Sequence, residues 1–407
     1  MKKLGSLLSA ALVVFVGTYW AFDRGAKDFQ VFYAAWSHVL SGHSSQMYAL
    51  SPDRFLYAPG FAWLFSPFAL LPYRVALLIW CFFKIGVVAF LVQELADVIR
   101  KASSPLSRHA LSIAALGVLF CARPFLIDFQ YGQVNILILG ASSWAVLGHF
   151  KKVEPIWDFT RWAVLGVAAV AKIFPLPLLL VPLFLSAGVP PKKLRGERWG
   201  VFAGVGLILV IPFLFEGLQG GASLYFQWNQ ALFSRGMPIE SHNQSFTAFL
   251  FHYASDLATP VIAQGRIYQF GHGLLSLETI KHLSLGWTLI TSGFLLALLT
   301  VSSAQSQLRR VACLTSGLIL PSHLVWKPYF VMTYPVAVLF LSDALEQNAK
   351  RSRFIFVLFT AAFINLTTFD LIGYEWAAAL EAMSLLLWVH LFIMILVMGR
   401  TSSRVKL

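Results

Sequence analysis

The stretch MKKLGSLLSAALVVFVGTYWAFDRGAKDFQVFYAAWSHVL, Met1 to Leu40, joins two different kinds of segment. Leu4 to Phe22 is apolar and close to the ~20 residues that a helix needs to cross the hydrocarbon of a bilayer. The second part places aromatic and aliphatic residues at helical spacing behind a lone carboxylate, Asp28. The opening resembles a signal peptide, yet TYWAFDRGAKD offers no small-x-small cleavage site, so an uncleaved first helix is expected.

The whole chain repeats this character. It has 407 residues, 58% hydrophobic and only 12% charged, with a mean hydropathy of +0.72, whereas soluble domains carry about a quarter charged residues. An all-α polytopic membrane protein is the expected class, one membrane domain over 1–407 with about ten to thirteen spans. A net charge of +13 does not point to nucleic acid, because the basic residues sit in short clusters between apolar runs. Seven clusters hold twenty of the 31 Lys and Arg: Lys2–Lys3, Arg100–Arg108, Lys151–Arg161, Lys192–Arg198, Arg309–Arg310, Lys350–Arg353 and Arg400–Lys406. By the positive-inside rule these are cytoplasmic turns, with both termini cytoplasmic.

Crossings are then expected near 4–22, 74–99, 110–127, 133–150, 162–173, 175–188, 199–215, 284–304, 311–325, 327–345, 354–371 and 377–399. Several are short, and Trp162 to Ile173 in particular is expected to be broken or re-entrant. Two long external regions, about 23–73 and 216–283, carry segments such as DFQVFYAAWSHVL and SFTAFLFHYASDL, expected as helices along the external interface. Trp20, Trp36, Tyr73 and Trp228 are expected mostly as interface anchors. Cys81, Cys121 and Cys313 stand alone in apolar runs, as buried thiols do, with neither disulfide framework nor metal cluster indicated. No fixed-period repeat occurs.

Polar groups at membrane depth are costly and point to function. Those expected at the external helix ends are Asp28, Arg123 with Asp128, Tyr131 to Asn135 (YGQVN), Lys172 in AKIFPLP, His242 to Ser245 and His323 to Tyr329. Carboxylates beside cations and amides suit an anionic, hydroxyl-rich substrate. Transfer of a sugar from a polyprenyl phosphate needs a base for the acceptor hydroxyl and cations for the departing phosphate. Lys and Arg can neutralise that phosphate without a divalent ion, and no DxD-type pair argues for one. Each residue also has a structural reading. Asp28 suits the N-cap of a helix beginning at Phe29, Arg123 an ion pair with Asp128, and Lys172 a snorkelling position. Gln133, Asn135, Asn243, Gln244 and Ser245 suit backbone groups freed at helix breaks. Lys84 in CFFKIGV lies mid-span with Glu94 or a lipid phosphate as candidate partners.

In order along the chain, Asp28-Phe29 with Phe32-Tyr33, then Gly42, Tyr48, Tyr57-Ala58-Pro59, Pro67 to Pro72, Gly132-Gln133-Val134-Asn135, Lys172-Ile173-Phe174-Pro175 and Asn243-Gln244-Ser245 form a series. It resembles glycosyltransferase family 87, polyprenyl-phosphate-dependent enzymes that include α-1,2-mannosyltransferases of mycobacterial glycolipid synthesis. The resemblance implies a GT-C fold, a lipid-phosphate sugar donor and Asp28 as catalytic base; a glycolipid or glycan acceptor and no metal cofactor are expected with it. From the polar groups themselves, Arg123, Lys172, His323 and Lys327 are expected at the donor phosphate, and Tyr57, Gln133, Asn135, His242, Asn243 and Gln244 at substrate. The chain departs where members often read Ser-Trp-x-His: it has Val325-Trp326-Lys327-Pro328 with His323 upstream, so Lys327 replaces a histidine as phosphate contact. The expected activity is inverting sugar transfer at the external face of a bacterial-type inner membrane. A lipid-linked-sugar transporter is the alternative, although it would place polar residues at the midplane of repeated halves; a non-catalytic scaffold would leave the ordered motifs unexplained.

Overall fold

The computed structural model describes residues 2–48, 55–101, 106–149, 154–184, 189–233, 242–255, 261–263, 266–268, 273–300, 307–345 and 351–399. Of the basic positions used above, Lys151, Lys152, Lys350, Arg400, Arg404 and Lys406 lie outside them. In order, the first helices are α1 (Lys2–Asp23), α2 (Lys27–Leu40), α3 (Pro59–Phe65), α4 (Tyr73–Lys101), α5 (Ala110–Phe120), α6 (Ala122–Tyr131), α7 (Asn135–His149), α8 (Pro155–Ala171), α9 (Val181–Phe184), α10 (Pro191–Phe233) and α11 (Phe246–Ala254). A short antiparallel pair, β1 (Val261–Ala263) and β2 (Arg266–Tyr268), follows. The chain continues as α12 (Leu277–Thr300), α13 (Gln307–Gly317), α14 (Tyr334–Leu345), α15 (Arg351–Leu366), α16 (Phe369–Ile372), α17 (Tyr374–Ala382) and α18 (Leu385–Met398).

The protein is an all-α polytopic membrane protein. Among the described residues, five helical stretches are long and apolar enough to span: α1, α4, α10, α12 and Lys327–Leu345. The number is seven if the pairs bent by 65° at Cys121 and by 56° near Ser384 each make one crossing. The other expected crossings are shorter or broken helices, so the estimate of ten to thirteen exceeds what full-length spans supply.

Contacts gather the chain into two units. One comprises Phe15–Phe90 and Asp128–Gly236. Its core is aromatic, with Phe29, Phe32, Trp36, Phe55, Phe61 and Trp80 all buried. The apolar face of α2 packs on this core, so protein rather than lipid covers it, and Trp36 is a core residue, not an interface anchor. Helices α8 and α10 run side by side because Gly200 and Gly204 remove the side chains between them. A Cβ on Gly204 would lie 2.0 Å from the Ala163 carbonyl oxygen, and one on Gly200 would lie 2.3 Å from that of Phe159. The contacts advance in step along both helices, which are therefore parallel, joined through small residues as membrane helices often are.

Helix α10 continues into the expected external loop but reverses at Gly217, whose φ of 70° is open to glycine. Pro212 lacks the N–H that would bond the Ile208 carbonyl. The returning Tyr225 hydroxyl donates to that carbonyl (3.2 Å) and to that of Leu209 (2.9 Å), so the break satisfies its own backbone. The break expected within Trp162 to Ile173 falls at the end of that stretch, since α8 is continuous to Ala171 and ends at an extended Lys172. Two residues of the basic clusters, Arg161 and Lys193, are partners in an ion network. Arg161 bonds Asp158 and reaches Glu197 at 3.1 Å, His149 meets Glu197 at 2.7 Å, and Lys193 meets Asp158 at 3.2 Å. This network ties α7, α8 and α10 together.

The second unit comprises Met1–Val14, Leu91–Ile127 and Met237–Leu407. Its centre is α14, buried on nearly every face as a helix apolar around most of its circumference must be. Gly117 on α5 admits the Val338 and Tyr334 side chains of α14, and the Tyr334 hydroxyl donates to the Ala114 carbonyl at 3.0 Å. Asn365, near the end of α15, clamps the α5–α6 bend: its Oδ1 accepts from Arg123 N (2.8 Å) and its Nδ2 donates to the Phe120 carbonyl (2.9 Å).

Candidate active site

In the first unit, the sequence YGQVN makes the turn between α6 and α7. Gly132 adopts φ +69°, and a Cβ there would lie 2.6 Å from the Cβ of Phe29, so the turn needs glycine for conformation and for approach to α2. The Trp80 indole donates to the Gly132 carbonyl at 2.9 Å, fixing the turn on α4. The next residues are thereby aimed at Asp28. That residue lies in the first turn of α2, after an N-cap at Ala26, so the helix starts two residues earlier than a cap at Asp28 would require.

From Asp28 a single chain of polar contacts runs inward. The Gln133 Nε2 donates to Asp28 Oδ2. The Gln133 Oε1 accepts from Lys172 Nζ at 3.4 Å and from the Tyr57 hydroxyl at 3.5 Å. Lys172 Nζ donates to Asn135 Oδ1 at 2.8 Å, and Asn135 Nδ2 donates to Asp128 Oδ2 at 3.0 Å. Asp128 then pairs with Lys84 at 2.7 Å, both side chains being fully buried. An ammonium has only donors, so Lys172 dictates which end of each amide faces it. Gln133 must turn its NH₂ to Asp28, and Asn135 its NH₂ to Asp128. Charges alternate along the chain, Asp28, Lys172, Asp128, Lys84, and cancel. Lys84, whose partner the sequence left open, is matched here, and Asp128 serves Lys84 and Asn135 rather than Arg123. Asp28 itself is partly exposed.

The second unit holds a different cluster. Glu381, on α17 and 4% exposed, accepts Lys327 at Oε1, with Arg123 Nη2 at 3.6 Å from the same oxygen. His242 Nδ1 faces Oε2 at 3.3 Å, and the His242 side chain is 57% exposed, so the cluster opens outward on that side. Arg123 Nη1 is held by the Thr367 carbonyl (2.8 Å) and hydroxyl (3.0 Å). Two basic side chains thus share one carboxylate. Glu381 was missed in the sequence, although an acid within the apolar run 377–399 is the signal that marks intramembrane polar sites.

Asn243, Gln244 and Ser245 are buried and engaged with the backbone. Asn243 Oδ1 accepts from Val325 N (2.9 Å) and its Nδ2 donates to the His323 carbonyl (2.9 Å). Gln244 Nε2 donates to the Glu381 carbonyl at 2.8 Å, and Ser245 caps α11 by accepting from Ala248 N. The motif therefore docks 323–326 and the end of α17 onto the start of α11. His323 is exposed, with Nδ1 3.0 Å from the Thr247 hydroxyl; partial burial lowers its pKa. Among the described residues no group of three or more His, Cys, Asp and Glu has a metal-binding arrangement.

The model of glycosyltransferase family 87 matches residues 55–322, about two thirds of the chain. No curated protein matches it.

Proposed function

The chain belongs to glycosyltransferase family 87 and is a membrane-embedded transferase, and on that premise we propose that it moves a sugar from a polyprenyl-phosphate donor to a glycolipid or glycan acceptor with Asp28 as general base. The observation that carries this is the orientation of Asp28: one oxygen is held by Gln133, whose own direction is imposed by Lys172, while the residue stays partly exposed. A base must be fixed yet reachable by the hydroxyl it serves. Asp28 takes the acceptor proton as the acceptor oxygen attacks the anomeric carbon, and the phosphate leaves on the opposite face. A β-linked donor then gives an α-linked product.

Arg123 and Lys327 supply the positive charge for the leaving phosphate, with His242 at the open side. His323 stands as a neutral donor or acceptor rather than a cation. Phosphate neutralised by two fixed cations needs no divalent ion. The reading includes a GT-C architecture, mannose or another hexose or pentose as cargo, and action at the periplasmic face of a bacterial-type inner membrane with both termini cytoplasmic.

The test is transfer of radiolabelled sugar from a panel of polyprenyl-phosphate sugars to membrane glycolipids, by wild type and Asp28→Asn. Transfer by wild type and a loss of about 10²–10⁴-fold in the variant supports the base. Equal transfer by both removes Asp28 from the chemistry.

A further inference from the structure

We propose that Glu381 sets the charge capacity of the cation cluster at one, and so makes it selective for a monoanionic phosphodiester over a diphosphate. This rests on the reading of Arg123 and Lys327 as the donor-phosphate site. Buried charges are costly unless compensated. Arg123 and Lys327, each with side chains 11% exposed, have Glu381 as their common carboxylate, which leaves one positive charge. The neighbouring acids on α16 and α17, Asp370 and Glu375, are exposed and belong to no ion pair with these cations among the described residues. A polyprenyl-phosphate sugar is a phosphodiester with one negative charge and closes the balance. A diphosphate-linked sugar brings two, and the second would face Glu381 without a cation to meet it.

The geometry gives the carboxylate a second task. Both cations converge on Oε1, so Glu381 holds the guanidinium and the ammonium side by side before any ligand arrives. His242 approaches Oε2 from the exposed side, where an anion would enter. Glu381 is thus a positioning and specificity-determining residue that touches the cations. It is fixed from behind, because its carbonyl accepts from Gln244 (2.8 Å) and from Ser384 N (2.9 Å).

The experiment measures equilibrium binding of farnesyl methyl phosphate, with one charge, and farnesyl methyl diphosphate, with two, to the purified full-length protein in detergent. Wild type should prefer the monophosphate. Glu381→Gln, which keeps shape and removes charge, should shift the ratio of the two affinities toward the diphosphate by about tenfold or more. Glu381→Asp should retain the wild-type preference, which separates charge from loss of fold. Lys327→Gln reports on the underlying reading, for it should weaken both ligands. If Lys327→Gln weakens binding but Glu381→Gln leaves the ratio unchanged, the inference is wrong and the phosphate site stands. If Lys327→Gln changes neither affinity, the phosphate site itself is wrong.

Discussion

The chain of contacts through Asp28 and the cluster around Glu381 draw on the same residue types and balance them differently. Along Asp28, Lys172, Asp128 and Lys84 the formal charges cancel, and neutral amides separate three of the four. Around Glu381 two cations crowd onto one oxygen, and a positive charge is left over. A compensated chain in a buried setting has no demand for a ligand, so its energy goes into orientation, here of Gln133 and hence of Asp28. A cluster with surplus charge demands an anion. The difference teaches that a lysine deep in a membrane protein is read by its partners. Lys172 and Lys327 look alike in sequence, but Lys172 belongs to a chain whose formal charges cancel and Lys327 to a cluster with two basic side chains on one carboxylate.

Substitutions can break this contrast at points of decreasing effect. The largest is expected at the buried end of the neutral chain. Lys84→Met leaves Asp128 charged and unpaired, and should destabilise the protein by about 3–5 kcal/mol. Asp128→Asn added to it should restore much of that, as read by thermal unfolding in detergent; no recovery would mean that the pair is not the source. Next is the cation cluster, where Lys327→Met should weaken phosphodiester binding by about tenfold to a hundredfold, ~1.4–2.8 kcal/mol. Lys172→Met sharpens the contrast from the other side. It should slow transfer by freeing Gln133 to rotate, yet leave binding of the same phosphodiester within about threefold, ~0.7 kcal/mol. A binding loss equal to that of Lys327→Met would make Lys172 a phosphate ligand after all.

The smallest effect is expected at His323. Its folded pKa lies below the unfolded value, so between the two the unfolded chain holds more protons and stability falls as pH drops below about 6.5. His323→Gln should flatten that acid limb while changing stability near pH 8 by no more than about 0.5 kcal/mol. An unchanged acid limb would show that His323 titrates as in the unfolded chain.

Much of this was legible in the sequence, for reasons that are local. Apolar run length gave the membrane class. The motif order pointed to the family, and GQVN can be read residue by residue: glycine for a positive-φ turn against Phe29, glutamine for Asp28, asparagine for Asp128. The helix over DFQVFYAAWSHVL was visible from its period, but not what covers it, because a face made for lipid and one made for an aromatic core have the same pattern. Partner choice was hidden for a similar reason. Asp128 lies five residues from Arg123 and forty-four from Lys84, and only the tertiary fold shows that the distant residue is the one it binds. Glu381 lies in none of the family motifs, and its partners Arg123, His242 and Lys327 are all more than fifty residues away in sequence, so no local pattern marks its place in the cluster. The positive-inside count used Arg161 and Lys193 for topology alone and could not show that both are held by buried carboxylates, Asp158 on α8 and Glu197 on α10.

The most direct test sets Asp28→Asn beside Lys327→Met and measures, for each, donor affinity and the single-turnover rate of sugar transfer. The account predicts opposite signatures: Asp28→Asn keeps the donor affinity and loses about 10²–10⁴-fold in rate, while Lys327→Met loses affinity first. If Asp28→Asn instead loses donor affinity and turns over bound donor at the wild-type rate, Asp28 is a binding residue and the base lies elsewhere.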